Sequence, residues 1–193
     1  MENALTNVLA VTLRCHDELV RRLLSHPTVG LAISGKRSER FCVGLQHQLP
    51  DSRKTVDIAV EALAPNGRVL ARLWIENKIN SGEVRSRSGE QYTLEYLGLQ
   101  AAEPAAKGRL VVIKRTPRDI RRTGRPPGFD VGVLTWAEII GIVRETGVSA
   151  HGERWVVSAR DPEAPARLRT LAECLWFLDM VVGTPHTGEV ADL

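Results

Sequence analysis

The stretch from Thr55 to Lys78, TVDIAVEALAPNGRVLARLWIENK, constrains this chain more than any other. Two β-rich runs flank Asn66-Gly67, a dipeptide whose tolerance of positive φ suits a two-residue type I′ turn. A turn closed by that pair sets Pro65 against Arg68, Val60 against Leu73 and Ile58 against Ile75. One step further, at the open end, Asp57 lies opposite Glu76. Side chains alternate along a strand, which sorts the two faces. Ile58, Val60, Ala62, Val69, Ala71, Leu73 and Ile75 make one apolar face. Asp57, Ala59, Glu61, Leu70, Arg72, Trp74, Glu76 and Lys78 make the other. Glu61 against Arg72 is a favourable cross-strand pair. Asp57 against Glu76 is repulsive, and either a proton on one carboxyl or a cation between them relieves it. Lys78 supplies part of that charge, but a hard divalent ion suits two carboxylates, a backbone oxygen and water better.

Asp57 followed by Glu76-Asn77-Lys78 at the end of the next strand resembles the PD-(D/E)XK nuclease superfamily. The fuller string Trp74-Ile75-Glu76-Asn77-Lys78-Ile79, with its Ser-Gly-Glu loop, is similar to bacterial defence-associated and restriction-like members. The resemblance spans roughly Phe41 to Trp136, and Leu134-Thr135-Trp136 before an acidic helix start extends it. Two departures stand out. Val56 replaces the family's proline, and Gln91 and Tyr96 are five apart where the family's Gln and Tyr are four apart.

The resemblance implies a restriction-endonuclease-like α/β fold, a three-layer core with a mixed central sheet flanked by helices. It also implies a Mg²⁺- or Mn²⁺-dependent nuclease acting on DNA, with a role in anti-phage defence or restriction. By the same resemblance, Asp57 and Glu76 hold the metal with the backbone carbonyl of Asn77, and Lys78 assists the attack. Gln91 and Tyr96 would join the catalytic group. Glu18, acidic on the first helix, is a further candidate ligand of the kind several related nucleases use.

Taken in order, the apolar spacing predicts a helix over 4–25, its stripe being Leu5, Leu9, Thr12, His16, Leu19 and Leu23, ended by Pro27. His16 reads as a core histidine and not as a base. Gly30 to Arg37, GLAISGKR, nearly matches a phosphate-binding loop but lacks the hydroxyl after Lys36, so it reads as a turn-rich connection. Phe41 to Leu49 is a strand beside the hairpin, with His47 in a polar edge position.

After Lys78, residues 80–90 have loop composition, and Arg85 and Arg87 are placed to clamp a phosphate backbone or simply to be solvated. A helix from Gln91 to about Ala102 leads to a buried strand, Arg109 to Lys114. The run Lys114 to Arg125 carries Arg118, Arg121, Arg122 and Arg125 against the single acid Asp119, and it forms no core. Its positive field suits a polyanion. Val131 to Leu134 is a further strand, and Thr135-Trp136-Ala137-Glu138 has capping-box spacing for a helix to about Thr146. A short strand around Trp155 and a last helix from about Pro165 to Val182 complete one domain, 1–182, with 183–193 as a tail or linker to a longer chain.

At 193 residues the chain has the size of one domain with a core of its own. Three scattered cysteines, Cys15, Cys42 and Cys174, suggest neither a disulfide framework nor a zinc site and fit a reducing cytoplasm. No stretch reads as a signal peptide or a membrane span. Two other readings compete with the enzyme: a nucleic-acid-binding module with this fold but no turnover, and a protein-interaction domain using its last helix. Strand number, sequence preference and oligomeric state, homodimer included, are open at this level.

Overall fold

The computed structural model describes residues 2–31, 33, 40–49, 55–78, 107–114, 131–146, 150–151 and 154–155, with Ala166, Thr170, Glu173, Cys174, Phe177 and Leu178 of a further helix. Helices α1 (Glu2–Cys15) and α2 (Asp17–Ser25) precede strands β1 (Arg40–Gln48), β2 (Thr55–Leu63) and β3 (Val69–Asn77). Strands β4 (Lys107–Lys114) and β5 (Val131–Thr135) follow, then helix α3 (Trp136–Glu145). A small ribbon, β6 (Ala150–His151) with β7 (Arg154–Trp155), ends the series.

Strands β1 to β5 form one sheet in sequence order. The β1–β2 and β2–β3 pairs are antiparallel, whereas β3–β4 and β4–β5 are parallel. The chain is thus an α/β domain with a mixed central sheet flanked by helices.

The hairpin register holds where it matters. Ile58 pairs with Ile75, Val60 with Leu73, Glu61 with Arg72 and Ala62 with Ala71. Its tip differs from the sequence expectation. Pro65 has no N–H with which to close a pair against Arg68, so Ala64 does so instead, its N–H donating to Arg68 O at 2.8 Å. The loop is therefore Pro65-Asn66-Gly67, with Gly67 N–H donating to Ala64 O and only Gly67 at positive φ, +83°. Leu63 then faces Val69 while Ala62 faces Ala71, which leaves Leu70 as an extra residue in a bulge. The odd loop and the bulge cancel.

The predicted single helix over 4–25 is also corrected. It breaks at His16, whose extended φ of −138° makes it the cap of α2. Cys15, His16 and Asp17 are consecutive weak helix formers, and Asp17 and Glu18 favour the positive N-terminal end of a new helix. The stripe still buries as expected: Leu5, Leu9, Thr12, His16, Leu19 and Leu23 are all within the core.

That core lies between the helices and one sheet face. Ile58, Val60, Ala62, Ala71, Leu73 and Ile75 meet Leu9, Leu13, Leu23, Trp136 and Ile140 there. Val69, beyond the bulge, is only partly buried. The capping box of α3 is complete: Thr135 Oγ1 accepts from Glu138 N–H, and the Glu138 carboxylate accepts from Thr135 N–H. The opposite face holds a smaller cluster, Leu49, Val56, Ala59, Trp74, Leu110, Val112 and Val131. Ala59 and Trp74, on the face shared with Asp57 and Glu61, are buried because β4 and β5 extend an apolar floor beside them. No described helix is long and apolar enough to cross a membrane.

Candidate functional site: the acidic end of the hairpin

Regular pairing of β2 with β3 stops at Ile58 and Ile75, one step short of the expected Asp57–Glu76 rung. The Asp57 side chain takes over there. Its Oδ2 accepts from the backbone N–H of Asn77 at 2.8 Å, and its Oδ1 accepts from the Gln46 amide of β1 at 3.0 Å. Asp57 is therefore fastened to the backbone unit between Glu76 and Lys78. Lys78 Nζ lies 3.4 Å from Glu76 Oε2, an ion pair with the carboxylate buried and the ammonium half-buried. Lys78 in turn is anchored through its N–H to Ile113 O at 2.8 Å. The repulsion anticipated between the two carboxylates is met by the Lys78 ammonium at Glu76 and by neutral donors from Asn77 and Gln46 at Asp57.

Asn77 works on the other side of the strand. Its side chain is buried on the helix face, where Nδ2 donates to Thr6 Oγ1 at 3.1 Å and Oδ1 accepts from Trp136 Nε1 at 3.2 Å. One residue thereby ties α1 and α3 to the strand that carries Glu76 and Lys78. The sequence reading used only its backbone.

Two further residues escaped sequence reasoning. Gln46, which the sequence analysis assigned no role, holds Asp57 from the edge strand. Lys114, read both as the end of a buried strand and as the start of the basic run, is 5% exposed at the end of β4. The parallel register sets Glu76 beside Val112 and Asn77 beside Ile113, so Lys114 follows in line with Lys78. A lysine closing a run of Leu, Val and Ile was the available signal, since lysine is rarely buried without a specific partner.

Glu18 lies on the exposed side of α2, where Arg22 Nε donates to it at 3.0 Å. It forms no three-carboxylate group with Asp57 and Glu76, for among the described residues no three His, Cys, Asp or Glu gather around a possible metal position. His16 is buried, in keeping with a core histidine. His47 is partly exposed on edge strand β1. Gln91, Tyr96, Arg85, Arg87, Arg118, Arg121, Arg122 and Arg125 lie outside the described residues, as does most of the basic run.

The chemistry of the donor set suits Mg²⁺ or Mn²⁺. Hard cations take carboxylate and carbonyl oxygens, and Mg²⁺ commonly uses one or two carboxylates with water and phosphate completing its shell. At 3.4 Å the Lys78 contact is longer than a tight charge-assisted hydrogen bond.

A separate apolar cavity of about 410 Å³ opens between α1 and the last helix, lined by Val8, Val11, Thr12, Cys174 and Phe177. Burial pushes the Cys174 thiol above its ordinary range, opposed by a hydrogen bond with Thr12.

Among known proteins, no family model matches the chain, and no significant match appears among curated proteins or solved structures. The fold class and the site geometry are what define it.

Proposed function

We propose that this chain is a metal-dependent nuclease of the PD-(D/E)XK type with a restriction-endonuclease-like core, hydrolysing DNA phosphodiester bonds in a defence setting. The observation that carries this reading is the meeting of Asp57, Glu76 and Lys78 around the Asn77 peptide, joined by contacts of 2.8 and 3.4 Å. Its other support is the mixed sheet, whose β2–β3 hairpin and parallel β4 bring those residues to one end.

Asp57 and Glu76, with the Asn77 carbonyl, would hold Mg²⁺ or Mn²⁺. When bound, such an ion supplies Lewis-acid stabilisation of the phosphate and acidifies an attacking water. Lys78 offsets the negative charge that grows on the phosphate oxygens as the water oxygen bonds to phosphorus. The ester P–O bond then breaks, and the leaving oxygen takes up a proton. Arginine would serve poorly at this position, because a group that is always charged cannot share in proton transfer.

Supercoiled plasmid and labelled single strands, incubated with Mg²⁺, Mn²⁺ or EDTA, test the proposal. Wild type should cleave only with metal. Lys78→Ala should lower the rate on the order of 10²–10³-fold or more with the thermal midpoint retained. Metal-independent cleavage, or unfolding of Asp57→Ala, Glu76→Ala and Lys78→Ala alike, would overturn it.

A further inference from the structure

Gln46 combines two features that nothing in its own sequence requires. Among the described residues it is the one non-glycine at positive φ, +48°, a conformation that L side chains adopt at a cost. It also reaches across to the acidic end. We propose that Gln46 is a positioning residue for Asp57, held in this left-handed conformation so that its amide fixes the carboxylate for metal binding; the inference rests on the nuclease reading above.

The local structure turns on this residue. Leu45 pairs with Ile58 and His47 with Val56, while the rung between them, Gln46 with Asp57, is missing from the ladder. Beyond it the normal alternation of faces is lost. His47 Nδ1 comes within 3.3 Å of where a Cβ on Gly44 would sit, although residues three apart on a regular strand face opposite sides. Val56, which alternation would place with Ile58, packs instead with the cluster of Ala59 and Trp74.

A carboxylate only accepts, so the Gln46 amide must present its NH₂, and it does so at 3.0 Å. With the Asn77 N–H on the other oxygen, both Asp57 oxygens have fixed directions. Strain of this kind persists where surrounding contacts over-determine it, and it gathers at functional sites. Outer hydrogen bonds to ligating carboxylates set ligand orientation, and their loss typically lowers metal affinity about 10–100-fold.

Two substitutions separate position from structure. Gln46→Gly removes the amide and the backbone cost together. It should raise the melting temperature by about 2–4 °C while weakening Mn²⁺ binding, measured calorimetrically, about 10-fold. Gln46→Ala removes the amide and keeps the cost. It should lower the melting temperature and weaken Mn²⁺ equally. Cleavage by both should recover as Mn²⁺ is raised to saturation. If Gln46→Ala does not fold, Gln46→Asn, which tolerates positive φ but is one methylene short, takes its place with the same expected loss. Wild-type Mn²⁺ affinity in the variants would overturn the assignment while the nuclease reading stands. A lower melting temperature for Gln46→Gly would also overturn it. A wild type that neither binds Mn²⁺ nor cleaves would remove the nuclease reading, and this inference with it.

Discussion

Strand β3 serves two faces of one sheet in opposite ways. Toward the helices it sends Leu73, Ile75 and the Asn77 side chain into a closed core, where the Asn77 amide is satisfied on both ends. Away from them it sends Trp74 into a small apolar floor, then Glu76 and Lys78 to the end of that floor. Polar groups appear on both sides, but they do different work. Asn77 spends its amide on Thr6 and Trp136, so its role is to hold elements together. Glu76 and Lys78 form an ion pair with each other at 3.4 Å, the carboxylate buried and the ammonium half-buried. Adjacent residues in one strand thus serve opposite faces, Asn77 tying helices to the sheet and Glu76 and Lys78 pairing with each other, and the alternation of side chains alone keeps them apart.

The contrast is sharpest at Asn77 itself. Asn77→Ala leaves Thr6 Oγ1 and Trp136 Nε1 without this partner in a buried setting, which should cost about 2–4 kcal/mol in denaturant unfolding. The cleavage rate per folded molecule should change little, because the backbone carbonyl remains. A stable but inactive Asn77→Ala would break the division between the faces. Gly132 comes next. A Cβ there would meet Thr28 O at 2.9 Å and Val111 Cγ2 at 3.0 Å, the first of them backbone that cannot swing aside. Gly132→Ala should therefore destabilise by about 1–3 kcal/mol, read from the same unfolding curves. An unchanged midpoint would mean that β5 is not seated against the turn after α2. The smallest effect belongs to Glu61 and Arg72, paired at 2.7 Å on the partly exposed side. A double-mutant cycle to alanine should give about 0.5–1 kcal/mol of coupling, falling as salt is raised. Coupling above that range would show this face to be drier than its exposure suggests.

Much of this was legible because the signals are local. The β2–β3 register, the inner stripe of α1 and α2, and the capping box at Thr135 each depend on residues a few positions apart. The candidate triad followed from the register. What escaped depends on distant partners. Nothing near Gln46 in the chain announces a left-handed residue, since its reason is Asp57, eleven positions away. Asn77 could be seen as part of a motif, but its bonds to Thr6 and Trp136 span 71 and 59 positions. Lys114 closes a strand read as buried and opens a run read as basic surface, and its burial follows the strand. The turn at Asn66-Gly67 was misread for a simpler reason: the proline ahead of it has no hydrogen to give.

The hairpin tip has a consequence for how this region tolerates change. Its odd-numbered loop and its single bulge are two independent pieces of slack lying far from the acidic end. A chain that lost one residue here could close the loop more tightly or smooth out the bulge, and either adjustment would leave Ile58 against Ile75. The tip thus acts as a length buffer, letting the sequence drift at one end of the ribbon without moving Asp57, Glu76 and Lys78 at the other.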